Sequence, residues 1–202
     1  MRREQQTTEV VLLRHAETVW NREMRIQGQQ DSMLTYEGRL HAMAWGRALR
    51  RHKWNHLVSS DLGRARQTAH LLNKSLGLSW SIEPRLRELD WGCWSGLRIV
   101  DLDPEELAVQ QRRGWQFRPP GGESREELFL RSSMAVKDLC SEFEGGRLLV
   151  VTHGGVLKCL IYRALQRMFL PEEPPLLQPH RLHRLSCNAA DIAVARLNEP
   201  IE

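Results

Sequence analysis

A chain of 202 residues, 41% hydrophobic and 27% charged, has the length of one domain (1–202) and can bury a core large enough to need neither disulfide nor metal. No stretch approaches the ~18 apolar residues of a membrane span, and the apolar run behind Met1-Arg2-Arg3 is too short for a secretion signal, so a cytoplasmic protein is expected. The net charge of +4 is scattered, with no block of five or more basic residues, which suits small anionic substrates better than nucleic acid.

The first predicted element is a strand over 9–13, the buried run Val10-Val11-Leu12-Leu13, which delivers Arg14 and His15 together at its carboxyl end. Thr35 is an N-cap for a helix from 36 to about 51, with Leu40, Met43, Ala44 and Leu49 near helical spacing. A short strand follows over 56–59. Asp61 then caps a helix running to about 76, with Leu62, Ala65, Ala69 and Leu72 on one face and Gly77 as its stop. A strand over 80–83 precedes Pro84. A short helix is expected around 105–113, before a loop forced by Arg118-Pro119-Pro120-Gly121-Gly122. Ser124-x-x-Glu127 is a capping box opening a helix that carries Leu128, Val136, Leu139, Cys140 and Phe143 and stops at Gly145-Gly146. A second buried strand, 148–152, ends in His153-Gly154-Gly155, and a helix follows from 155 to about 168. Residues 171–187, rich in proline and basic side chains, read as loop, and 190–197 as a final strand. Alternating strands and helices without an internal repeat imply an α/β fold: a three-layer α/β/α sandwich on a mostly parallel central sheet with right-handed crossovers.

If strands 9–13 and 148–152 are parallel neighbours, His15 and His153 meet at the carboxyl edge of the sheet, where open α/β sheets bind ligands. Those residue types suit phosphoryl transfer through a histidine. His15 is the candidate nucleophile, as a neutral imidazole. Arg14 and Arg64 are permanently charged planar forks that match phosphate oxygens. His153 can donate as an imidazolium if an anionic pocket raises its pKa. Glu88, in Leu86-Arg87-Glu88-Leu89-Asp90-Trp91-Gly92, is the candidate proton donor, with Trp91 near enough to desolvate it.

Blander readings stand beside these. Glu88 can be an ion-pair partner of Arg85 or Arg87. His153-Gly154-Gly155 has the look of a lipase oxyanion loop, but no G-x-S-x-G elbow exists in the chain. The four cysteines, Cys93, Cys140, Cys159 and Cys187, form no C-x-x-C pair and read as reduced thiols. Cys93 lies one residue too close to Arg98 for the C-x₅-R loop of cysteine phosphatases and is expected to be a small buried apolar residue. His180-x-x-His183 falls in the proline-rich segment without acidic or thiol partners, and a solvated loop is expected rather than a metal site. The proposed chemistry needs no metal and no cofactor. Trp115 and Phe117, just before the Pro-Pro-Gly-Gly turn, are candidates for a lid over the site.

The ordered blocks Arg14-His15-Ala16-Glu17-Thr18 with Trp20-Asn21, Gln27-Gly28-x-x-Asp31-x-x-Leu34-Thr35-x-x-Gly38, Ser59-Ser60-Asp61-Leu62-x-Arg64-Ala65-x-Gln67-Thr68-Ala69, Arg87-Glu88-Leu89-x-x-Gly92-x-Trp94-x-Gly96, Pro120-Gly121-Gly122-Glu123-Ser124 and Val151-Thr152-His153-Gly154-Gly155 cover residues 9 to about 160. With them the chain resembles the histidine phosphatase superfamily, the phosphoglycerate-mutase-like family. The resemblance implies that His15 is phosphorylated, that Arg14, Arg64 and His153 form the phosphate pocket and that Asn21 shares it. It further implies that Gln27 and Gly28 touch substrate or phosphate, that the Gly154 N–H meets the anion at a helix start, and that Glu88 donates the proton and later deprotonates water. Asn188 is similar to an asparagine before the family's last strand, where Ala190 replaces a serine. Cys93 and Ser95 depart from the acidic or bulkier residues of relatives, and 101–118 is where subfamilies differ.

Three functions remain open. The leading one is hydrolysis of a small phosphorylated metabolite by a phosphomonoesterase: Pro120-Gly121-Gly122-Glu123-Ser124 resembles the phosphatase branch, with its α-ribazole, sugar-phosphate and broad phosphomonoesterases. The second is a phosphoglycerate-type mutase using Arg112-Arg113 as extra basic groups. The third is a phospho-ligand binding module without turnover.

Overall fold

The structure, a computed structural model, describes residues 6–202; the basic Met1-Arg2-Arg3 start lies outside them. In chain order the elements are strand β1 (Thr8–Arg14), helices α1 (Val19–Arg22) and α2 (Tyr36–Leu49), strand β2 (His56–Ser59), helix α3 (Gly63–Leu76), strand β3 (Trp80–Ile82), helices α4 (Pro104–Arg112) and α5 (Arg125–Glu142), strand β4 (Arg147–Thr152), helix α6 (Gly154–Ala164), and strands β5 (Leu182–Cys187) and β6 (Ile192–Glu199). They build one six-stranded sheet in the order β3-β2-β4-β1-β5-β6. β3, β2, β4 and β1 run parallel, while β5 and β6 are antiparallel additions at one side.

Why β1 and β4 read as unbroken apolar runs follows from their two covered faces. Val10, Leu12, Val58, Leu148 and Val150 pack with Leu128 and Val136 of α5 and Val156 and Leu160 of α6. Their neighbours Val11, Leu13, Leu57, Leu149 and Val151 point the other way, onto Ala42 and Leu49 of α2 and Ala65, Ala69 and Leu72 of α3. The register pairs Val10 with Leu148 through to Arg14 with Thr152. His15 and His153 therefore leave two adjacent strands at the same edge, where the His15 N–H also donates to the Thr152 carbonyl at 2.9 Å.

Caps fall largely where the side chains dictate. The Thr35 hydroxyl accepts from the Gly38 N–H at 2.9 Å, and Ser124 and Glu127 close a reciprocal capping box on α5. Gly77 ends α3 in the left-handed region at φ 65°. Three expectations need correction. Asp61 does not cap α3: it is held by Arg87, and the N-terminus of α3 is capped instead by Asp31, whose carboxylate accepts from Gly63 N–H at 2.6 Å and Arg64 N–H at 3.3 Å. Helix α6 stops at Ala164, because Gln166 takes the left-handed conformation (φ 56°) and the Arg167 N–H reaches back to the Tyr162 carbonyl at 2.8 Å, a Schellman-type end without glycine. Finally, 171–187 is not all loop. Residues Leu182–Cys187 form β5, where Arg184 is tolerated because it pairs with Glu9 at 2.7 Å on one side and with Glu199 on the other. No helix among the described residues is long and apolar enough to cross a membrane.

Candidate active site

His15 begins the loop after β1 and is buried, with 4% of its surface exposed. Its Nδ1 lies 2.8 Å from the Ala16 carbonyl oxygen, which can only accept. Nδ1 therefore carries the hydrogen, and Nε2 keeps its lone pair. Burial, then the charges of Arg14 and Arg64, holds the imidazole well below the usual histidine range and so neutral. The ring of His153 stands 5.3 Å away. His153 is sealed from solvent, and its Nε2 lies 2.8 Å from the Ser60 hydroxyl while Nδ1 is buried with no hydrogen-bond partner among the described residues. Burial, Arg64 and His15 push its pKa well down as well. The imidazolium expected from the sequence is thus not the form of the free protein; a neutral ring accepting from Ser60 at Nε2 would still offer Nδ1–H as a donor.

Arg64, at the start of α3, is the largest fully buried side chain among the described residues, with 1% exposure. One end of its guanidinium is fixed by the loop that precedes α2: Nη2 donates to the Gly28 carbonyl at 2.7 Å, and Nη1 donates to the Gln30 carbonyl at 2.7 Å and to Asp31 at 3.2 Å. Nε–H remains buried, with no hydrogen-bond partner among the described residues. Gly28 has φ 53°, and a Cβ there would collide with Ser95 and Trp91, so the turn that presents its carbonyl needs glycine. Arg14 is exposed at the rim of the cleft. Asn21 has its Oδ1 taken by the Thr18 N–H and hydroxyl, both at 3.1 Å, leaving its amide N–H groups as donors. Gln27 is buried with an unpartnered Oε1.

Glu88 pairs with neither neighbouring arginine. Arg85 is held by Glu83 and Asp138, and Arg87 by Asp61. The Glu88 carboxylate instead accepts from the Gly155 N–H at 3.0 and 3.1 Å and from the Leu89 N–H at 2.8 Å. A Cβ on Gly155 would overlap its Oε1. The turn carrying Glu88 is locked by Arg131 of α5, which donates to the carbonyls of Arg85, Arg87 and Glu88 at 2.7, 2.8 and 2.9 Å and pairs with Glu123.

Arg14, His15, Asn21, Gln27, Gly28, Arg64, Glu88 and Trp91 line one cleft of about 350 Å³. His153 lies behind His15, and Gly154 lines the space on the other side of Arg14. Several candidates fall elsewhere. Phe117 is buried against Trp91 and Trp94, and Trp115 packs on Phe129 and Phe169 with its N–H bonded to the Arg167 carbonyl, so these two are core rather than lid. Cys93 is exposed, not buried. His183 is buried on β5, accepting from the Asn198 N–H at 3.3 Å, rather than solvated in a loop. Asn188 closes a tight turn onto Ala190 and Asp191. Ser60, Asp31 and Arg131 were not singled out from the sequence; Asp31 and Ser60 stood inside the motif blocks, whereas nothing marked Arg131.

A neutral imidazole, two guanidiniums and a carboxylate around a cleft at the carboxyl edge of a parallel sheet define an α/β protein equipped to hold a tetrahedral anion against a nucleophilic nitrogen. The model of the Histidine phosphatase superfamily (branch 1) matches residues 10–200, and the chain belongs to that superfamily, whose members are phosphatases and mutases. It is 42% identical over 156 residues to the "Probable phosphoglycerate mutase GpmB" of Salmonella choleraesuis, covering 76% of this chain and 73% of that protein. Among solved structures it resembles Bacillus stearothermophilus YhfR, with TM-score 0.86, 30% identity and coverage of 96% of this chain and 100% of that one. It also resembles a mycobacterial glucosyl-3-phosphoglycerate phosphatase solved with VO3, with TM-score 0.74, 32% identity and coverage of 88% and 90%.

Proposed function

We propose that this chain is a cofactor-independent phosphomonoesterase that works through a phosphohistidine on His15. One observation carries the reading: His15 Nδ1 is tied to the Ala16 carbonyl, so the lone pair of Nε2 is available to a cleft shared with Arg14, Arg64 and Glu88. Nε2 attacks phosphorus while the bond to the ester oxygen breaks, and Glu88 gives that oxygen its proton. The charge on the phosphoryl oxygens is met by Arg14, by the unspent Nε–H of Arg64, by Nδ1–H of His153 and by the Asn21 amide. Water, deprotonated by Glu88, then attacks phosphorus, and the bond to His15 breaks to release phosphate. Purified protein should release phosphate from p-nitrophenyl phosphate in the presence of EDTA. Acid quenching should trap an acid-labile, base-stable phosphate, and His15→Ala should abolish both. Turnover in His15→Ala at the wild-type rate rules the mechanism out.

The mutase reading is favoured by the 42% identity to the Salmonella protein. It predicts transfer within phosphoglycerate without net phosphate release. Against it, Arg112 and Arg113 stand at the end of α4 and line neither the cleft nor the cavity beside it. A binding module would retain phosphoesters in the same assay without turnover.

A further inference from the structure

The cleft continues past Glu88. A second cavity of about 650 Å³ shares Arg14, Glu88, Trp91 and Ile99 with the first. In an in-line displacement the leaving oxygen lies opposite the attacking nitrogen, and its proton donor must reach it. With Glu88 at the junction of the two spaces, the body of the leaving group extends into the larger one. A space of that size is typical for an organic ligand of many atoms, more than a two- or three-carbon acid fills. Much of its wall is apolar: Leu128, Tyr162, Phe169 and Leu176 join Trp91.

Two cations interrupt that wall. Lys158 lies on α6, about one turn beyond Gly155, whose N–H holds Glu88; it is exposed on the cavity wall and makes no hydrogen bond or ion pair with any described residue. Arg125 opens α5, stacked between the rings of Phe117 and Phe169 at 4.2 and 4.5 Å, and donates only to the carbonyls of Gly114 and Phe169. Neither is ion-paired with a described carboxylate. Of the two that line the cavity, Glu88 is bonded to backbone N–H groups, while Glu173 faces Arg167 and the Met168 N–H. Burial pushes Arg125 down to about 10. An anion in this cavity would meet two positive groups, exposed Lys158 and half-buried Arg125, neither of which is ion-paired with a described carboxylate.

We propose that this cavity is the leaving-group site, and that the substrate is a phosphomonoester whose leaving group joins an apolar body to a second anionic group seated on Lys158 and Arg125. The proposal rests on the phosphomonoesterase reading for its substrate but not for its binding site. Matched esters test it: biphenyl-4-yl phosphate, its 4′-carboxy derivative and the 4,4′-bisphosphate, assayed with wild type, Lys158→Gln, Lys158→Arg and Lys158→Glu. Wild type should prefer the charged esters by about tenfold or more in kcat/KM, the scale of a hydrogen-bonded charge contact. Lys158→Gln should collapse the preference, Lys158→Arg keep it and Lys158→Glu invert it; whichever of carboxylate and phosphate is preferred identifies the anion. A wild-type preference near one, or one that Lys158→Glu leaves unchanged, overturns the proposal. If no ester releases phosphate, the hydrolase reading falls, and titration calorimetry of 4′-hydroxybiphenyl-4-carboxylate against 4-phenylphenol still decides the site. Equal affinities for wild type and Lys158→Gln would then reject it.

Discussion

At the scale of single residues, the proposed chemistry depends on keeping His15 uncharged in a cleft rich in arginine. Burial and the adjacent charges of Arg14 and Arg64 lower its pKa well below 6.5, so the nucleophilic form persists into mild acid. The acid limb of kcat/KM for p-nitrophenyl phosphate, which reports the free enzyme, should therefore fall off below pH 6.5. A limb centred at or above that value would contradict the tautomer and burial described for this ring. Glu88 is open to a different probe. Because a Cβ at position 155 overlaps its Oε1, Gly155→Ala should displace the proton donor. The expected loss is on the order of 10²-fold in kcat for esters of poor leaving groups, and much less for 2,4-dinitrophenyl phosphate, whose leaving oxygen needs no proton. An equal loss on both esters would point to general damage instead. Of the groups in the proposed chemistry, Arg14, His15 and His153 were readable because each follows an apolar strand, and Arg64 and Glu88 because they stand inside motif blocks that resemble the family's. Ser60 behind His153, and Arg131 under the Glu88 turn, were not: their partners lie 93 and 43 to 46 residues away, and only the packed sheet brings them together.

At the scale of elements, the active cleft is assembled by the start of α3. Asp31 caps that helix and also touches Arg64 Nη1, so one carboxylate fixes both the helix and the guanidinium it presents. Asp31→Ala should cost about 1 kcal/mol in stability, the usual value of an N-cap, and should also lower kcat/KM by loosening Arg64. Urea denaturation and steady-state kinetics measure the two effects; a stability loss with unaltered kinetics would detach the cap from the site. Local sequence pointed to Asp61 as the cap because it stands beside the helix, yet the better-placed carboxylate comes from a loop 32 residues earlier. The same limit explains β5. Its alternation is blurred by Arg184 and by the prolines before it, and the charges that make the strand tolerable, Glu9 and Glu199, lie on its two neighbours. Helix α6 overran in the sequence reading for another reason: its left-handed stop is Gln166, which carries none of the signal a glycine gives. Strands β1 and β4 at the centre of the parallel half were legible because strands covered on both faces are continuously apolar.

For the whole molecule, the buried neutral histidines tie stability to pH. His183, 1% exposed on β5, has its pKa lowered by burial from 6.5 to about 4, and His15 and His153 are lowered by burial together with nearby cations. In the unfolded chain these rings take up protons near pH 6.5, so the unfolded state binds more protons than the folded one and stability rises with pH. Their contribution is complete above pH 6.5 and is lost as pH falls toward the folded values; for His183 alone the loss amounts to about 3 kcal/mol by pH 4. Urea midpoints should therefore fall between pH 7 and 5, and His183→Gln should flatten that fall. An anion in the cleft acts with the opposite sign on His15 and His153, since a negative charge beside them favours protonation. Sulfate, a dianion across this range, binds only the folded form and stabilises it by mass action. The shift it produces should grow from pH 7.5 to pH 5, as binding comes to include proton uptake by the two imidazoles. The growth should vanish in His15→Ala/His153→Ala, which retains Arg14 and Arg64. A sulfate shift independent of pH in the wild type would mean that neither ring gains a proton when the anion arrives, and His153 would then act in the proposed reaction as a neutral donor throughout.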